Sequence, residues 1–221
     1  MQSKFDCMVM ETNSNKFPRG YLSYSSLLLW EKSPAQFRDR YYLNKPTVNT
    51  PYTLFGKESH ELISTMSHIP HYSVMESEIC ITLQGVPLKG YIDSFDPPTG
   101  AFIEYKTGIN KSDGTDRWTQ STVNKWKQLP FYAMCIKEKM DMFVPKTTLV
   151  FLESAWDVKK KKVGSCELIF SKKLILTGRH VIFERILTLE ELEETKQWVV
   201  RLAKEIEEDY KKFKELKCQL N

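Results

Sequence analysis

Three charged side chains within residues 90–108 have the types and spacing to do chemistry together. Asp93 precedes the turn Asp96–Gly100, and Glu104 and Lys106 follow it. If the flanking segments pair symmetrically about this turn, Asp93 lies directly opposite Glu104, with Cβ atoms roughly 4.5–5.5 Å apart. Strand alternation then places Lys106 on the same face. Because opposed carboxylates repel each other unless a cation joins them, this face predicts a divalent metal held beside a charged substrate.

A half-exposed strand without any function also alternates charged and apolar residues. Two features favour a site. The carboxylates oppose each other rather than basic residues, and Gly90 and Gly108 bracket the charged face, where the backbone must be approached closely. Ile92, Ile103 and Tyr105 are expected to point away from this face into a core.

The composition is that of an ordinary globular protein. The chain has 221 residues, of which 41% are hydrophobic and 27% are charged. We expect residues 1–20 to form an irregular lead-in and residues 21–221 to form a single domain. The net charge of +4 is weak evidence for a polyanionic partner, so local clusters would have to attract one.

The five cysteines are odd in number and widely scattered, with no C-x-x-C pair, so neither a zinc site nor a disulfide framework is predicted. They are Cys7, Cys80, Cys135, Cys166 and Cys218. The sequence shows no signal peptide and no apolar run of membrane-spanning length. We therefore expect a cytoplasmic protein with no membrane partner.

The elements that must position the charged face follow from periodicity and from helix caps. The predicted strands are Ser73–Leu83, Val86–Phe95, Ala101–Thr107, Thr147–Trp156, Cys166–Phe170 and Arg179–Ile186. The predicted helices are Leu22–Trp30, Ser33–Tyr42, Tyr52–Ile69, Trp118–Lys137 and Leu189 to about Lys217. A polar loop is predicted at Lys111–Asp116 and a basic turn at Lys159–Lys162.

Local signals mark several helix boundaries. Ser23 or Ser25 is the expected N-cap of the first helix, and Ser33 the cap of the second. A capping box, Thr188-x-x-Glu191, is expected to begin the long C-terminal helix. Pro130 fits the predicted helix poorly and implies either a kink or a later start.

Five short motifs occur in a fixed order between residues 22 and 136. With them, the sequence resembles the RecB-like branch of the PD-(D/E)XK nuclease superfamily. The matching segments are Leu22–Leu27 with Trp30 and Ser33–Phe37, Gly56–Glu61, Gly90–Asp93, Ile103–Gly108 and Gln128–Tyr132. The resemblance implies an α/β, restriction-endonuclease-like core: a mixed β-sheet flanked by helices, with a long C-terminal helix.

The resemblance also implies roles for the motif residues. Asp93, Glu104 and Lys106 would be catalytic, and His60, Asp93, Glu104 and the Tyr105 carbonyl would hold one Mg²⁺ or Mn²⁺. The metal would polarise the scissile phosphate and lower the pKa of the attacking water.

Two further residues look like the family's Q-x-x-x-Y motif. Gln128 and Tyr132 would bind DNA, although packing of their helix against the sheet explains them about equally well. Ser33 stands where iron–sulfur relatives carry their first cluster cysteine, so no iron–sulfur cluster is expected.

The resemblance implies a metal-dependent deoxyribonuclease. An exonuclease acting on single- or double-stranded DNA ends is favoured, in recombination, repair or phage DNA processing within a bacterial or phage-infected cell. Recombination or replication proteins and a homo-oligomer are open as partners. Two alternatives also remain open: an RNA endonuclease of the cap-snatching type, and a catalytically silent nucleic-acid-binding module.

Overall fold

The computed structural model describes residues 16–110, 116–163 and 166–219, excluding the side chains of residues 160–170. Its strands form a five-stranded mixed sheet in the order β1-β2-β3-β4-β5. They are β1 (Val74–Leu83), β2 (Val86–Phe95), β3 (Phe102–Gly108), β4 (Lys146–Val163) and β5 (Cys166–Ile186). The helices are α1 (Tyr24–Lys32), α2 (Pro34–Tyr41), α3 (Pro51–Ile63), α4 (Gln120–Asn124), α5 (Gln128–Met140) and α6 (Leu189–Gln219).

The sheet is mixed because one neighbouring pair is parallel. β1, β2 and β3 form an antiparallel meander, and β4 and β5 form an antiparallel hairpin. β3 and β4 run parallel, with Lys106 registered on Phe151, and the chain between them contains α4 and α5. The predicted fold class, a mixed sheet with flanking helices and a long C-terminal helix, is confirmed.

Two apolar clusters cover the two faces of the sheet. The larger one joins α1, α2, α5 and α6 to the sheet and includes Leu27, Phe131 and Val199, all fully buried. The smaller one lies under α3, where Ile63 packs with Tyr105 of β3. Ile103 belongs to the smaller cluster and Ile92 to the larger one, so the three apolar residues predicted to share a core are divided between two.

The largest differences from the predicted helices concern α3 and the predicted helix Trp118–Lys137. α3 ends at Ile63 instead of Ile69, because the hydroxyls of Ser64 and Thr65 donate back to the Glu61 and Leu62 carbonyls in a local turn. The predicted helix Trp118–Lys137 is two helices. α5 begins at Gln128, so Pro130 lies in its first turn, where no intrahelical N–H bond is required.

The strand predictions need correction at the C-terminal side of the sheet. The segment Lys159–Lys162 is not a turn, because it continues β4, and Cys166–Phe170 and Arg179–Ile186 are parts of the single strand β5. The two long strands pair with each other almost throughout, which satisfies backbone groups that a turn would leave to solvent. Residues 111–115 of the predicted loop Lys111–Asp116 and most of the lead-in 1–20 lie outside the described residues, and the single domain stays a prediction.

The predicted caps are confirmed. The Ser23 hydroxyl accepts the Ser26 N–H at 3.3 Å, which begins α1, and Ser33 caps α2. Thr188 and Glu191 form the capping box of α6: the Glu191 N–H donates to the Thr188 hydroxyl at 3.1 Å, and the Thr188 N–H donates to the Glu191 carboxylate at 3.0 Å.

Two further sequence expectations concern cysteines and membranes. Cys80 is disulfide-bonded, which the cysteine spacing did not predict, whereas Cys135 and Cys218 are free thiols. Across the described part of the chain, no helix combines the length and the apolar character needed to span a bilayer.

Candidate active site

The β2–β3 hairpin opens where its two carboxylates lie. Its registered pairs are Phe95 with Phe102 and Ser94 with Ile103, which is the symmetric register that the turn predicts. The next pair in this register is Asp93 with Glu104. There, the Tyr105 N–H donates to Asp93 Oδ2 at 2.8 Å, so a carboxylate oxygen accepts a backbone donor at the point where the ladder ends. Asp93 is therefore fixed by the backbone of the opposite strand.

Glu104 is the most buried charged group of the site, with 2% of its surface exposed. Its Oε1 accepts hydrogen bonds from Gln128 Nε2, at 2.7 Å, and from Lys106 Nζ. Its Oε2 is buried and has no hydrogen-bond partner among the residues that the structure describes. Because an unpaired buried acceptor is costly, this oxygen fits a group that the protein itself does not supply, and a divalent cation suits a carboxylate oxygen.

Burial makes both carboxylates hard to ionise. Burial raises the pKa of Asp93 above its ordinary value, against the opposing effects of Lys106 and the Tyr105 N–H. Burial, and then the charge of Asp93, raise the pKa of Glu104. A bound cation would favour the charged form of both groups and so offset the effect of burial on their pKa values.

Lys106 lies on the same face as Glu104, as strand alternation predicts. Its side chain is 29% exposed, and its Nζ lies 4.9 Å from the centroid of the Trp126 ring. Burial lowers the pKa of Lys106, but the carboxylates of Glu104 and Asp93 outweigh burial and raise it. The amine is therefore a fixed positive charge at the edge of the carboxylate pair.

The indole behind Lys106 is a site component that the sequence did not single out. Trp126 Nε1 donates to the Tyr24 hydroxyl at 3.1 Å, and the Trp126 ring stacks on Trp118 with centroids 4.1 Å apart. These contacts hold a cation–π surface beneath the ammonium. An aromatic residue near a helix is usually part of the core, so the residue type alone does not assign Trp126 to the site. Its connection to the motifs in the sequence is that it lies two positions before Gln128.

His60 reaches the same place from α3. Its Nδ1 lies 3.5 Å from Asp93 Oδ1, and its ring lies 6.2 Å from the ring of Tyr105. Burial lowers the pKa of His60, even though Glu104 acts in the opposite direction, so the imidazole is held neutral. A neutral imidazole is the form that binds metals.

Gln128 and Tyr132 lie on α5 against the hairpin. Gln128 Nε2 bonds Glu104 and lies 3.5 Å from the Tyr132 hydroxyl. Tyr132 is 6% exposed, and a Cβ placed on Gly90 would lie only 2.8 Å from Tyr132 Cε1. The absence of a side chain at Gly90 therefore leaves room for the Tyr132 ring, and the Tyr132 hydroxyl in turn lies beside the Gln128 amide. The DNA contact of both residues stays a prediction.

The fold thus brings together the predicted side chains His60, Asp93, Glu104, Lys106 and Gln128. These side chains are close to one another but do not form a complete set of metal ligands. Within the described residues, no three His, Cys, Asp or Glu side chains converge into a complete cation site. The donor set and the unpaired Glu104 oxygen fit a hard divalent cation with solvent or substrate oxygens as further ligands. Tyr105 contributes its N–H to Asp93, and its carbonyl as a ligand stays a prediction.

Comparison with known proteins agrees with this architecture. The family model of the PD-(D/E)XK nuclease superfamily matches residues 57–220 of the chain. No curated protein sequence matches this chain.

Two solved structures share the fold. The alkaline exonuclease of Laribacter hongkongensis is 12% identical, with a TM-score of 0.52, and the alignment covers 91% of this chain and 95% of that one. A candidate exonuclease from Eubacterium rectale is 11% identical, with a TM-score of 0.51 and coverage of 89% and 85%. At these identities the likeness establishes the fold alone.

Proposed function

The chain belongs to the PD-(D/E)XK nuclease superfamily, and on that premise we propose that it is a metal-dependent exodeoxyribonuclease that hydrolyses DNA from an end. The observation that carries this proposal is the Glu104 carboxylate. It is buried, its Oε2 lacks a hydrogen-bond partner within the described part of the chain, and it lies beside a second carboxylate and an ammonium group. A purely structural acid would have both oxygens satisfied, whereas a ligand keeps one available.

Asp93 and Glu104 would hold a Mg²⁺ or Mn²⁺ ion, with neutral His60 as a nitrogen ligand beside Asp93. When bound, such an ion neutralises charge on the scissile phosphate and makes the attacking water more acidic. The Tyr105 N–H keeps one Asp93 oxygen engaged, so the other oxygen, which faces His60, is the one available to a ligand.

Lys106 supplies the fixed positive charge of the reaction. Its ammonium is held between Glu104 and the Trp126 ring, and it is protonated throughout the neutral range because the carboxylates raise its pKa. A charge that is already in place needs no reorganisation as negative charge develops on the phosphate, which is the usual basis of a large rate effect. Gln128 holds the Glu104 oxygen on the Lys106 side, which leaves Oε2 for the ligand.

Action at a DNA end is proposed from the relatives. The similar solved structures are an alkaline exonuclease and a candidate exonuclease, and exonucleases require a free terminus. We expect cleavage of linear DNA, no cleavage of covalently closed circular DNA, and no cleavage of RNA.

The test compares end-labelled linear DNA, closed circular DNA and RNA as substrates in Mg²⁺, in Mn²⁺ and in EDTA. Glu104→Gln removes the charge of the unpaired oxygen and should abolish cleavage. Glu184→Gln, on an exposed strand position whose side chain pairs with Lys146, is the matched control and should retain full activity. Cleavage in EDTA, an active Glu104→Gln enzyme or preference for RNA would each contradict the proposal.

A further inference from the structure

The β4–β5 hairpin continues well beyond the rest of the sheet. β3 ends at Gly108, which is registered with Glu153 of β4, whereas β4 and β5 remain paired to Val163 and Cys166. We call the extension, residues 154–163 and 166–176, the basic arm. It begins at an irregularity in the ladder, where Gly178 adopts a positive φ of 85° and β5 carries extra residues opposite Glu153.

The base of the basic arm is fixed to the nuclease core. The ring of Trp156 lies 5.9 Å from that of Tyr52 in α3, the helix that carries His60. Lys172 Nζ lies 4.5 Å from the centroid of the Trp156 ring, on the same face of the hairpin. The arm is therefore attached beside the candidate active site, next to the strand that carries Lys106.

The basic arm carries a net positive charge. Its sequence carries six lysines, at 159–162, 172 and 173, against two acids, Asp157 and Glu167, so its net charge of +4 equals that of the whole protein. Among the described side chains, Lys159, Lys172 and Lys173 are exposed. The registered pairs Val158 with Lys172 and Asp157 with Lys173 place these lysines on opposite faces of the ribbon.

A two-stranded ribbon with lysines on both faces matches a groove of duplex DNA in shape and in charge. The major groove of B-DNA is about 12 Å wide and admits such a ribbon between two rows of phosphates. Lys159 also lies eight residues beyond Phe151, the residue registered with Lys106. At about 3.3 Å per residue, this places Lys159 roughly 26 Å from the catalytic strand position, or 7–8 base pairs of duplex.

We propose that the basic arm grips duplex DNA 7–8 base pairs from the bond that is cut, through phosphate contacts by Lys159, Lys172 and Lys173. This inference rests on the proposed function, since it assigns a double-stranded region to the substrate of the same site. The role of the arm would be to retain a long duplex between successive cuts. Cleavage of a short duplex does not need this contact.

The test uses Lys159→Gln/Lys172→Gln/Lys173→Gln in the full chain. The matched control removes the same charge from exposed positions of α6, as Lys204→Gln/Lys211→Gln/Lys212→Gln. Binding is measured by fluorescence anisotropy in EDTA, so that it does not depend on cleavage. The probes are a blunt 24-base-pair duplex and a stem-loop with a five-base-pair stem.

For the 24-base-pair duplex, the slope of log affinity against log salt is negative, and the arm variant should reduce its magnitude by about 2.7, since each lost phosphate contact reduces it by about 0.9. Its affinity for the five-base-pair stem and its rate of cutting that stem should be unchanged, and the α6 control should match wild type on both probes. A second variant, Lys159→Gln/Lys173→Gln, spares the Lys172–Trp156 contact and should reduce the magnitude of the slope by about 1.8.

An arm variant that keeps wild-type salt dependence on the long duplex would overturn the inference. The arm would then have another partner, such as an acidic protein or a second copy of this chain. Equal losses on both probes, or an equal loss in the α6 control, would also overturn it, since these outcomes indicate general electrostatics. Wild-type protein that cleaves no DNA at all would instead refute the proposed function. The two proposals therefore fail in distinguishable ways.

Discussion

The clearest prediction is that the metal-free protein becomes less stable as pH rises from 5 to 8, and that Glu104→Gln removes much of this loss. Glu104 is 2% exposed, and burial together with Asp93 raises its pKa from 4.5 to about 7. A carboxyl whose pKa is higher in the folded state binds its proton more tightly there. Its stabilising contribution is therefore complete below pH 4.5 and is lost as pH passes through 7.

The size of this effect follows from the pKa difference. Each pKa unit corresponds to about 1.4 kcal/mol, so ionising Glu104 in the folded protein costs roughly 3 kcal/mol at pH 8. Part of this cost is shared with Asp93, whose pKa is also raised. We therefore expect Glu104→Gln to increase the free energy of unfolding by about 1–3 kcal/mol at pH 8 and to leave it nearly unchanged at pH 5.

The assay is urea unfolding in EDTA at several pH values, with Glu184→Gln as the control. Glu184 is exposed, so its substitution should change stability by less than about 0.5 kcal/mol at either pH. Adding Mg²⁺ or Mn²⁺ should stabilise wild type at pH 8 but not Glu104→Gln, because the bound ion replaces the missing proton. A Glu104→Gln protein that is less stable than wild type at pH 8 would refute the reasoning.

Three other substitutions separate the roles within the site. Lys106→Met should retain metal binding by calorimetry while the cleavage rate falls by roughly 100-fold or more, and an active variant would contradict the role of the amine. His60→Ala should impair cleavage rather than abolish it, raising the metal concentration for half-maximal activity roughly tenfold, with partial rescue by Mn²⁺; full activity at low metal would assign His60 to structure alone. Gly90→Ala should displace Tyr132, destabilise the fold by about 1–3 kcal/mol and lower the cleavage rate. Gly56→Ala, whose Cβ meets no atom closer than 3.8 Å, is its control and should do neither.

The sequence predicts the hairpin of the site well because every determinant there is local. The turn fixes the register, the register places Asp93 opposite Glu104, and alternation places Lys106 beside Glu104. Motif order supplied His60 and Gln128, whose elements are distant in sequence, and the structure places both at the carboxylates.

Other features could not be predicted because they depend on partners far along the chain. A run of four lysines has the polarity of a loop, and its place in β4 follows only from pairing with β5. The support of Lys106 by Trp126 depends on a hydrogen bond to Tyr24, 102 residues away. The unpaired oxygen of Glu104 is likewise a property of the packed site and has no signature in the sequence.

The parallel pairing of β3 with β4 has a consequence for how the enzyme folds. The hairpin contact of Ser94 with Ile103 closes a loop of nine residues, whereas the contact of Lys106 with Phe151 closes one of 45. Short loops close sooner and at lower entropic cost, so the acidic pair should meet early and the parallel neighbour should arrive late. A nascent chain would then carry two repelling carboxylates on a meander of β1, β2 and β3 that lacks its parallel neighbour until α4, α5 and β4 have emerged. Substitutions in this crossover should therefore slow the assembly of the enzyme without altering the chemistry of the finished site.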